Sequence, residues 1–502
     1  MCFSLYTVSM SQKPFYITTT LPYVNAEPHI GFAMEIIRAD IIARSKRLAG
    51  HEVFFNTGTD EHGTKIYRKA KDMGVDTQAY VDGLAQKYKD LMPRLGISRS
   101  GEGLTFNFIR TTDTHHKMAA QAFWNKVAEN GYIYKKEYSI KYCVGCELEK
   151  TESELVNGRC PLHPAQELEI IQEENYFFKA SAFQDKLLAM YEANPGFVVP
   201  DFRLNEIKSL LTHEGLKDFS ISRLATKMPW GVPVPSDPAQ VMYVWFDALV
   251  DYISAIGWPD DEVAGTKSAG SFKKWWVETG GVVQYCGKDN LRQQSAMWQS
   301  MLLAAGLPPS KTIIINGFIT GEGGLKMSKS LGNAVDPLDI INEYGTDALR
   351  YYVARELSPF EDSPFTIEKF KEGYNAHLAN GIGNLTSRIM KMAEANIKPV
   401  SFTVAHNEAY DAALSRYDIK AAADIIWARV AELDQTIQKE EPFKKVKDPT
   451  TKKHALEVIE HLVKGLAEIS FLLEPILPTS AEAIKKCIAE NKSPVQPLFM
   501  RK

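Results

Sequence analysis

No run of apolar residues in this sequence approaches the ~20 needed to cross a bilayer, which excludes a helical membrane span. No secretory leader is expected either: Met1 to Met10 is short, lacks a basic start and a cleavage site, and reads as a frayed extension or an upstream start codon. Cysteine is scarce, six in 502 residues, which excludes a disulfide framework in a chain of this length. Positive charge is not in excess either. Lys+Arg of 58 against Asp+Glu of 62 gives a net charge of −4, so no global field announces a nucleic-acid partner and any RNA contact must be local. The basic cluster Lys444, Lys445, Lys447, Lys452 and Lys453 reads first as a solvated helix face. No Ser/His/Asp or Cys/His arrangement for a protein nucleophile stands out. What is left is a cytoplasmic protein with no membrane partner, long enough for two to four domains.

Two separated elements are present that suit a triphosphate. The apolar, β-branched run Phe15-Tyr16-Ile17-Thr18-Thr19-Thr20 predicts a strand, and an amphipathic helix follows through Arg47, with His29-Ile30-Gly31-Phe32 at its start. Exposed N–H groups and the positive end of the helix dipole favour phosphate there; Gly31 permits close approach and His29 adds a donor, although His29 could equally serve as a helix cap. Far downstream, Lys326-Met327-Ser328-Lys329-Ser330 follows the glycine hinge Gly321-Glu322-Gly323-Gly324. Two lysines supply point charges for phosphate oxygens, on a backbone able to close over them. By itself the pentad is also what a solvated surface turn looks like. Both elements at α/β junctions predict one shared phosphate ligand.

Cys143-Val144-Gly145-Cys146, then Cys160-Pro161-Leu162-His163, has the CxxC…CxxH spacing of a structural Zn²⁺ site, one ion per chain. Three thiolates and an imidazole complete a tetrahedron and leave no position for water. Cys2, Cys286 and Cys487 are isolated.

Alternating strand and helix signals predict an α/β fold, a doubly wound, Rossmann-like parallel sheet, interrupted by the zinc-bearing insertion and followed by an all-α helix bundle. The expected divisions are 13–118 and 233–320 for the two halves of the sheet domain, 119–232 for the insertion, 321–364 for the mobile loop and connector, and 365–502 for the bundle. Strands are expected to resume at Val241-Met242-Tyr243-Val244-Trp245, Val282-Val283-Gln284-Tyr285 and Thr312-Ile313-Ile314-Ile315. In the tail, Leu456, Ile459, Val463 and Leu466 carry helical periodicity.

With these motifs the chain resembles a class I aminoacyl-tRNA synthetase, from about Lys13 to its end. Leu21-Pro22-Tyr23, Gly58-Thr59-Asp60-Glu61-His62-Gly63, Tyr243-Val244-Trp245-Phe246-Asp247-Ala248 and Gly287-Lys288-Asp289 narrow the resemblance to the methionyl branch. The resemblance implies a ligase that activates methionine with ATP and Mg²⁺ and charges initiator and elongator methionine tRNAs. It places His29, Lys326 and Lys329 in catalysis. Gly31, Phe32, Gly287, Asp289 and Ser328 join them around ATP; Phe32 stands where a second histidine is usual. A methionine slot needs apolar and aromatic walls plus an anion for the ammonium group. Leu21, Tyr23, Trp245, Leu249, Tyr252, Asn290 and Gln294 are the expected lining and Asp60 the anion. Gln293 and Gln294 replace an aromatic and a histidine, and Leu249 a proline. Asn380, Asn384 and Arg388 recur every four residues on one helix face; Asn384 and Arg388, with Pro442 and Phe443, are implied to read the anticodon. The chain ends soon after the bundle, without the further module of some relatives, so a monomer is expected. Two alternatives stand beside this reading: a class I synthetase for another apolar amino acid, or a non-catalytic tRNA-binding paralogue.

Overall fold

Along the first strand, Pro14–Thr19, residues alternate between two cores: Phe15 and Ile17 enter one, Tyr16 the other. The next strand, Glu52–Thr59, repeats the pattern, with Val53 and Phe55 on the first side and Phe54 on the second. A sheet apolar on both faces must be covered on both, and helices do so. The computed structural model describes residues 13–97, 100–101, 103–146, 148–150, 154–260, 272–324, 327, 335–400 and 407–502.

Six parallel strands form the central sheet, in the order Leu104–Arg110, Glu52–Thr59, Pro14–Thr19, Val283–Gly287, Thr312–Asn316, Val198–Val199. The winding reverses between Pro14–Thr19 and Val283–Gly287, where Ile17 pairs with Val283 and Thr19 with Tyr285. A crevice opens beyond the carboxyl ends of strands at such a reversal. The helix Ile30–Leu48 starts beside it and buries Ile36, Ile37 and Ile41 against the sheet; Lys46 and Arg47 in its last turn complement its dipole.

Two expectations are corrected here. Val241–Trp245 is not a strand of the parallel sheet. Asp237–Met242 pairs antiparallel with Ser222–Leu224 in a separate three-stranded sheet, and the chain turns at Tyr243 into the short helix Val244–Ala248. A short apolar run suits either structure, and only its neighbours decide. The sixth strand was also missed: Val198–Val199, from a segment read as insertion, pairs with Ile313 and Ile314.

Between the sheet halves, Leu148–Lys150, Ile133–Cys143, Glu169–Phe178 and Phe219–Ser220 make a four-stranded antiparallel sheet. The C-terminal region is helical, including Asn384–Asn396, Ile419–Glu440, Lys452–Leu473 and Pro478–Glu490. Its apolar side is continuous with the sheet: Ile17, Leu349, Ile389, Ile426 and Leu466 share one core. A buried ion pair reinforces the junction. Arg350 donates through Nη2 to Asp40 at 2.7 Å and to the Pro475 carbonyl at 2.9 Å, and through Nε to the Ile476 carbonyl at 2.8 Å. Among the described residues no helix is long and apolar enough to cross a membrane.

Candidate active site

A cavity of about 540 Å³ lies at the reversal point. Its floor begins where Pro14–Thr19 ends: Thr20 donates its N–H to the Tyr285 carbonyl at 3.0 Å, and the chain continues through Leu21 and Tyr23 along the wall. Tyr23 bridges to Asp60, whose N–H donates to the Pro22 carbonyl at 3.0 Å. Backbone pairing thus sets the expected anion beside the expected apolar wall.

His29 is the N-cap of Ile30–Leu48, and its Nδ1 accepts from the Gly31 N–H at 3.1 Å. A neutral imidazole that accepts at Nδ1 carries its proton on Nε2. Gly31 is needed for this arrangement, since a Cβ there would lie 2.9 Å from His29 Cε1. Phe32 lines the cavity with its ring edge-on to Tyr88, centroids 5.0 Å apart. Gly287, Asp289 and Asn290 border the opposite side, with Asn290 donating to Asp289 at 3.2 Å. Trp245, Leu249, Tyr252 and Gln294 line the same cavity, as does Met327. Lys326, Ser328 and Lys329 lie outside the described residues. Among the described residues, every position expected around ATP or methionine therefore meets in this one space.

Behind the wall, Asp247 ties three elements together. Its carboxylate meets His62 Nδ1 at 2.5 Å and His116 Nε2 at 2.9 Å, and His116 Nδ1 meets Ser254 Oγ at 2.9 Å. Burial works to raise the Asp247 carboxyl, but His62 and His116 outweigh it and hold it below the usual carboxylate range. The Asp60–His62 loop is thereby fixed to the helix that carries Trp245.

Gln293, expected near the substrate side chain, lines the cavity, and so do Glu35, Asp251 and Asn316, which escaped the sequence reading. Burial pushes the Glu35 carboxyl up to about 8, against hydrogen bonds from Thr20 that pull it down. Burial, reinforced by Asp60 and Asp247, pushes Asp251 well above the carboxylate range. Gln293 Oε1, Asn316 Oδ1 and the Trp245 indole N–H are buried with no hydrogen-bond partner among the described residues. Asp251 had a visible signal, a carboxylate inside the apolar run Ala248-Leu249-Val250-Asp251-Tyr252-Ile253. Asn316 had none.

Cys143, Cys146, Cys160 and His163 present ligand atoms all within 4.8 Å of one another. Cys146 Sγ lies 3.4 Å from Cys160 Sγ, and His163 Nδ1 lies 3.2, 3.7 and 4.0 Å from Cys146, Cys143 and Cys160. Zinc bonds of about 2.0–2.3 Å imply tetrahedral edges of about 3.5–3.8 Å, so the group fits that ion. Gly145 is obligatory at the turn, because a Cβ would come within 2.5 Å of the His163 ring. Gly145, Cys146, Leu162 and His163 also line the cavity, and Lys65 donates to the Gly145 carbonyl at 3.4 Å.

On the helical tail, the shared face of Asn380, Asn384 and Arg388 is corrected by a break at Gly381, φ −85° and ψ −111°, which separates Asn380 from the helix Asn384–Asn396. Asn384 is exposed and Arg388 is ion-paired to Asp434. Pro442 is buried at the first turn of a short helix, while Phe443 is 43% exposed beneath Lys444.

A family model described as tRNA synthetases class I (M) matches residues 15–168 and 154–390. The chain is 37% identical to the methionine–tRNA ligase of Thermotoga maritima over 96% of this chain and 76% of that one. It is 38% identical to that of Thermosynechococcus vestitus, over 94% and 89%. The Mycobacterium tuberculosis methionyl-tRNA synthetase in complex with methionyl-adenylate superposes with a TM-score of 0.84 at 31% identity, covering 97% of this chain and 98% of that one.

Proposed function

Since this chain belongs to the methionine–tRNA ligase family of class I tRNA synthetases, we propose that its cavity holds methionine and ATP side by side across the reversal of the sheet. The enzyme joins methionine to AMP with release of pyrophosphate, then passes the methionyl group to tRNA. The observation that carries the proposal is the single cavity lined by both sets of expected residues.

The methionine carboxylate attacks the α-phosphorus of ATP, and the ribose hydroxyl at the 3′ end of the tRNA later takes the acyl group. Neither step needs a protein nucleophile, so positioning and charge stabilisation do the catalysis. His29, with Nδ1 committed to its own helix, donates through Nε2 to a phosphate oxygen whose charge grows in the transition state. Gly31, Phe32 and Gly287 shape the nucleotide cradle and Asp289 accepts from the ribose. Lys326, Ser328 and Lys329 hold the pyrophosphate. Mg²⁺ brought in with ATP would neutralise part of the phosphate charge beside Lys326 and Lys329. Asp60 takes the methionine ammonium group, while Leu21, Tyr23, Trp245, Leu249, Tyr252, Asn290 and Gln294 enclose the side chain. Asn384, Arg388, Pro442 and Phe443 receive the anticodon of initiator and elongator methionine tRNAs, with Arg388 exchanging Asp434 for RNA. We place the enzyme in the cytoplasm, as a monomer.

Pyrophosphate exchange measured with each amino acid in turn tests the assignment. Methionine alone should support it, and exchange driven by leucine, isoleucine or valine, or by no amino acid, sinks it.

The metal we assign to the knuckle is structural zinc. Metal analysis should find about one zinc per chain, and Cys143→Ser should lose it, with new protease cleavage between residues 140 and 165. Because the knuckle forms part of the cavity wall, the same variant should raise the KM for methionine. A fully active, zinc-free protein would refute the assignment.

A further inference from the structure

Beneath the cavity runs a chain of buried amides whose direction is set at its far end. Gln299, Ser310, Gln284, Gln294 and Tyr252 are each at most 5% exposed. Ser310 donates its backbone N–H to Gln299 Oε1 at 2.9 Å, and Gln299 Nε2 donates to the Gln294 backbone carbonyl at 2.8 Å. Those backbone groups have only one possible role each, so the Gln299 amide cannot be flipped. Its Nε2 also donates to Ser310 Oγ at 3.1 Å. The Ser310 hydroxyl in turn donates to Gln284 Oε1 at 2.6 Å, a length typical of O–H···O rather than N–H···O bonds. Gln284 Nε2 then donates to Gln294 Oε1 at 2.8 Å, and Gln294 Nε2 donates to Tyr252 Oη at 2.7 Å. The tyrosine oxygen is thus an acceptor within the protein, and among the described residues its own proton has no acceptor.

We propose that Gln299, Ser310 and Gln284 are positioning residues which, through Gln294, compel the Tyr252 hydroxyl to donate into the cavity and so select a side chain bearing a weak acceptor over an isosteric hydrocarbon. This rests on the methionine reading of the cavity. The thioether sulfur is such an acceptor; the methylene of norleucine has the same shape and accepts nothing. All members of the relay are neutral, so the selection needs no protonation event. Tyr252 lines the cavity, whereas Gln284, Gln299 and Ser310 do not and act only through it.

The test is the ratio of kcat/KM for methionine to that for norleucine in pyrophosphate exchange. Gln284→Met keeps the shape and removes the donor, freeing Gln294 to turn its oxygen toward Tyr252 and recapture the hydroxyl proton. The ratio should fall about fivefold, the factor that one net hydrogen bond contributes, through the KM for methionine with norleucine unchanged. Ser310→Ala, a smaller change that the fold tolerates more readily, should shift the ratio in the same direction. Tyr252→Phe should lower the ratio by itself, and adding Gln284→Met should lower it no further. Equal losses for both amino acids, or an unchanged ratio in Gln284→Met and Ser310→Ala alike, overturn the relay while leaving the enzyme assignment intact. Absence of methionine-dependent exchange in the unaltered protein overturns that assignment, and the relay with it.

Discussion

Lys329→Ala should slow methionyl-adenylate formation about a hundred- to a thousandfold and leave methionine binding essentially unchanged. The argument is one of charge in time. Pyrophosphate leaves with charge that the substrate phosphates carry only in part, and a cation that meets it late stabilises the transition state more than the ground state. At the glycines expected to act as the hinge, Gly323 and Gly324 have φ of 71° and 78°, a conformation that L side chains rarely adopt. Met327, between the two lysines in the chain, already lines the cavity. Single-turnover adenylation by rapid quench gives the rate, and equilibrium titration with methionine gives the affinity. Parallel losses in both would remove the lysine from the role assigned to it.

Arg350→Met should cost about 3–5 kcal/mol of stability, the usual penalty for stripping one partner from a buried ion pair. Its guanidinium is fully buried, and burial lowers its pKa against the opposing pull of Asp40. Methionine fills much of the volume but strands the Pro475 and Ile476 carbonyls and leaves Asp40 to Arg44, which donates to it at 2.8 Å. Because one core runs from the sheet into the helical tail, both regions should unfold together at lower urea, by tryptophan fluorescence and by circular dichroism alike. Loss of the tail alone, or a change below about 1 kcal/mol, would contradict this account of the junction.

Much of the catalytic half was legible in the residues because its signals are local. The strand before His29, the helix after it and the two CxxC/CxxH turns depend on neighbours a few positions away. What stayed hidden depends on distant partners. Val198–Val199 is a strand only because Ile313 and Ile314 lie beside it, and two residues carry no period. Tyr243 and Val244 are apolar enough for either structure, and the chain turned helical there. The one-face reading of Asn380 and Asn384 assumed an unbroken helix that Gly381 interrupts. Asn316 looks like an ordinary polar residue until its side-chain oxygen is found buried among the cavity-lining groups. The glutamine relay is a matter of which atom donates, and no spacing rule encodes that.

The strand order has a consequence for the protein's birth. Pro14–Thr19 leaves the ribosome well ahead of its neighbour on one side, Val283–Gly287, which is made some 260 residues later. At roughly 5–20 residues per second, an apolar, β-branched edge waits tens of seconds for its partner. A nascent chain halted between the two should therefore be sticky and in need of a chaperone, and become self-sufficient once residue 316 has emerged.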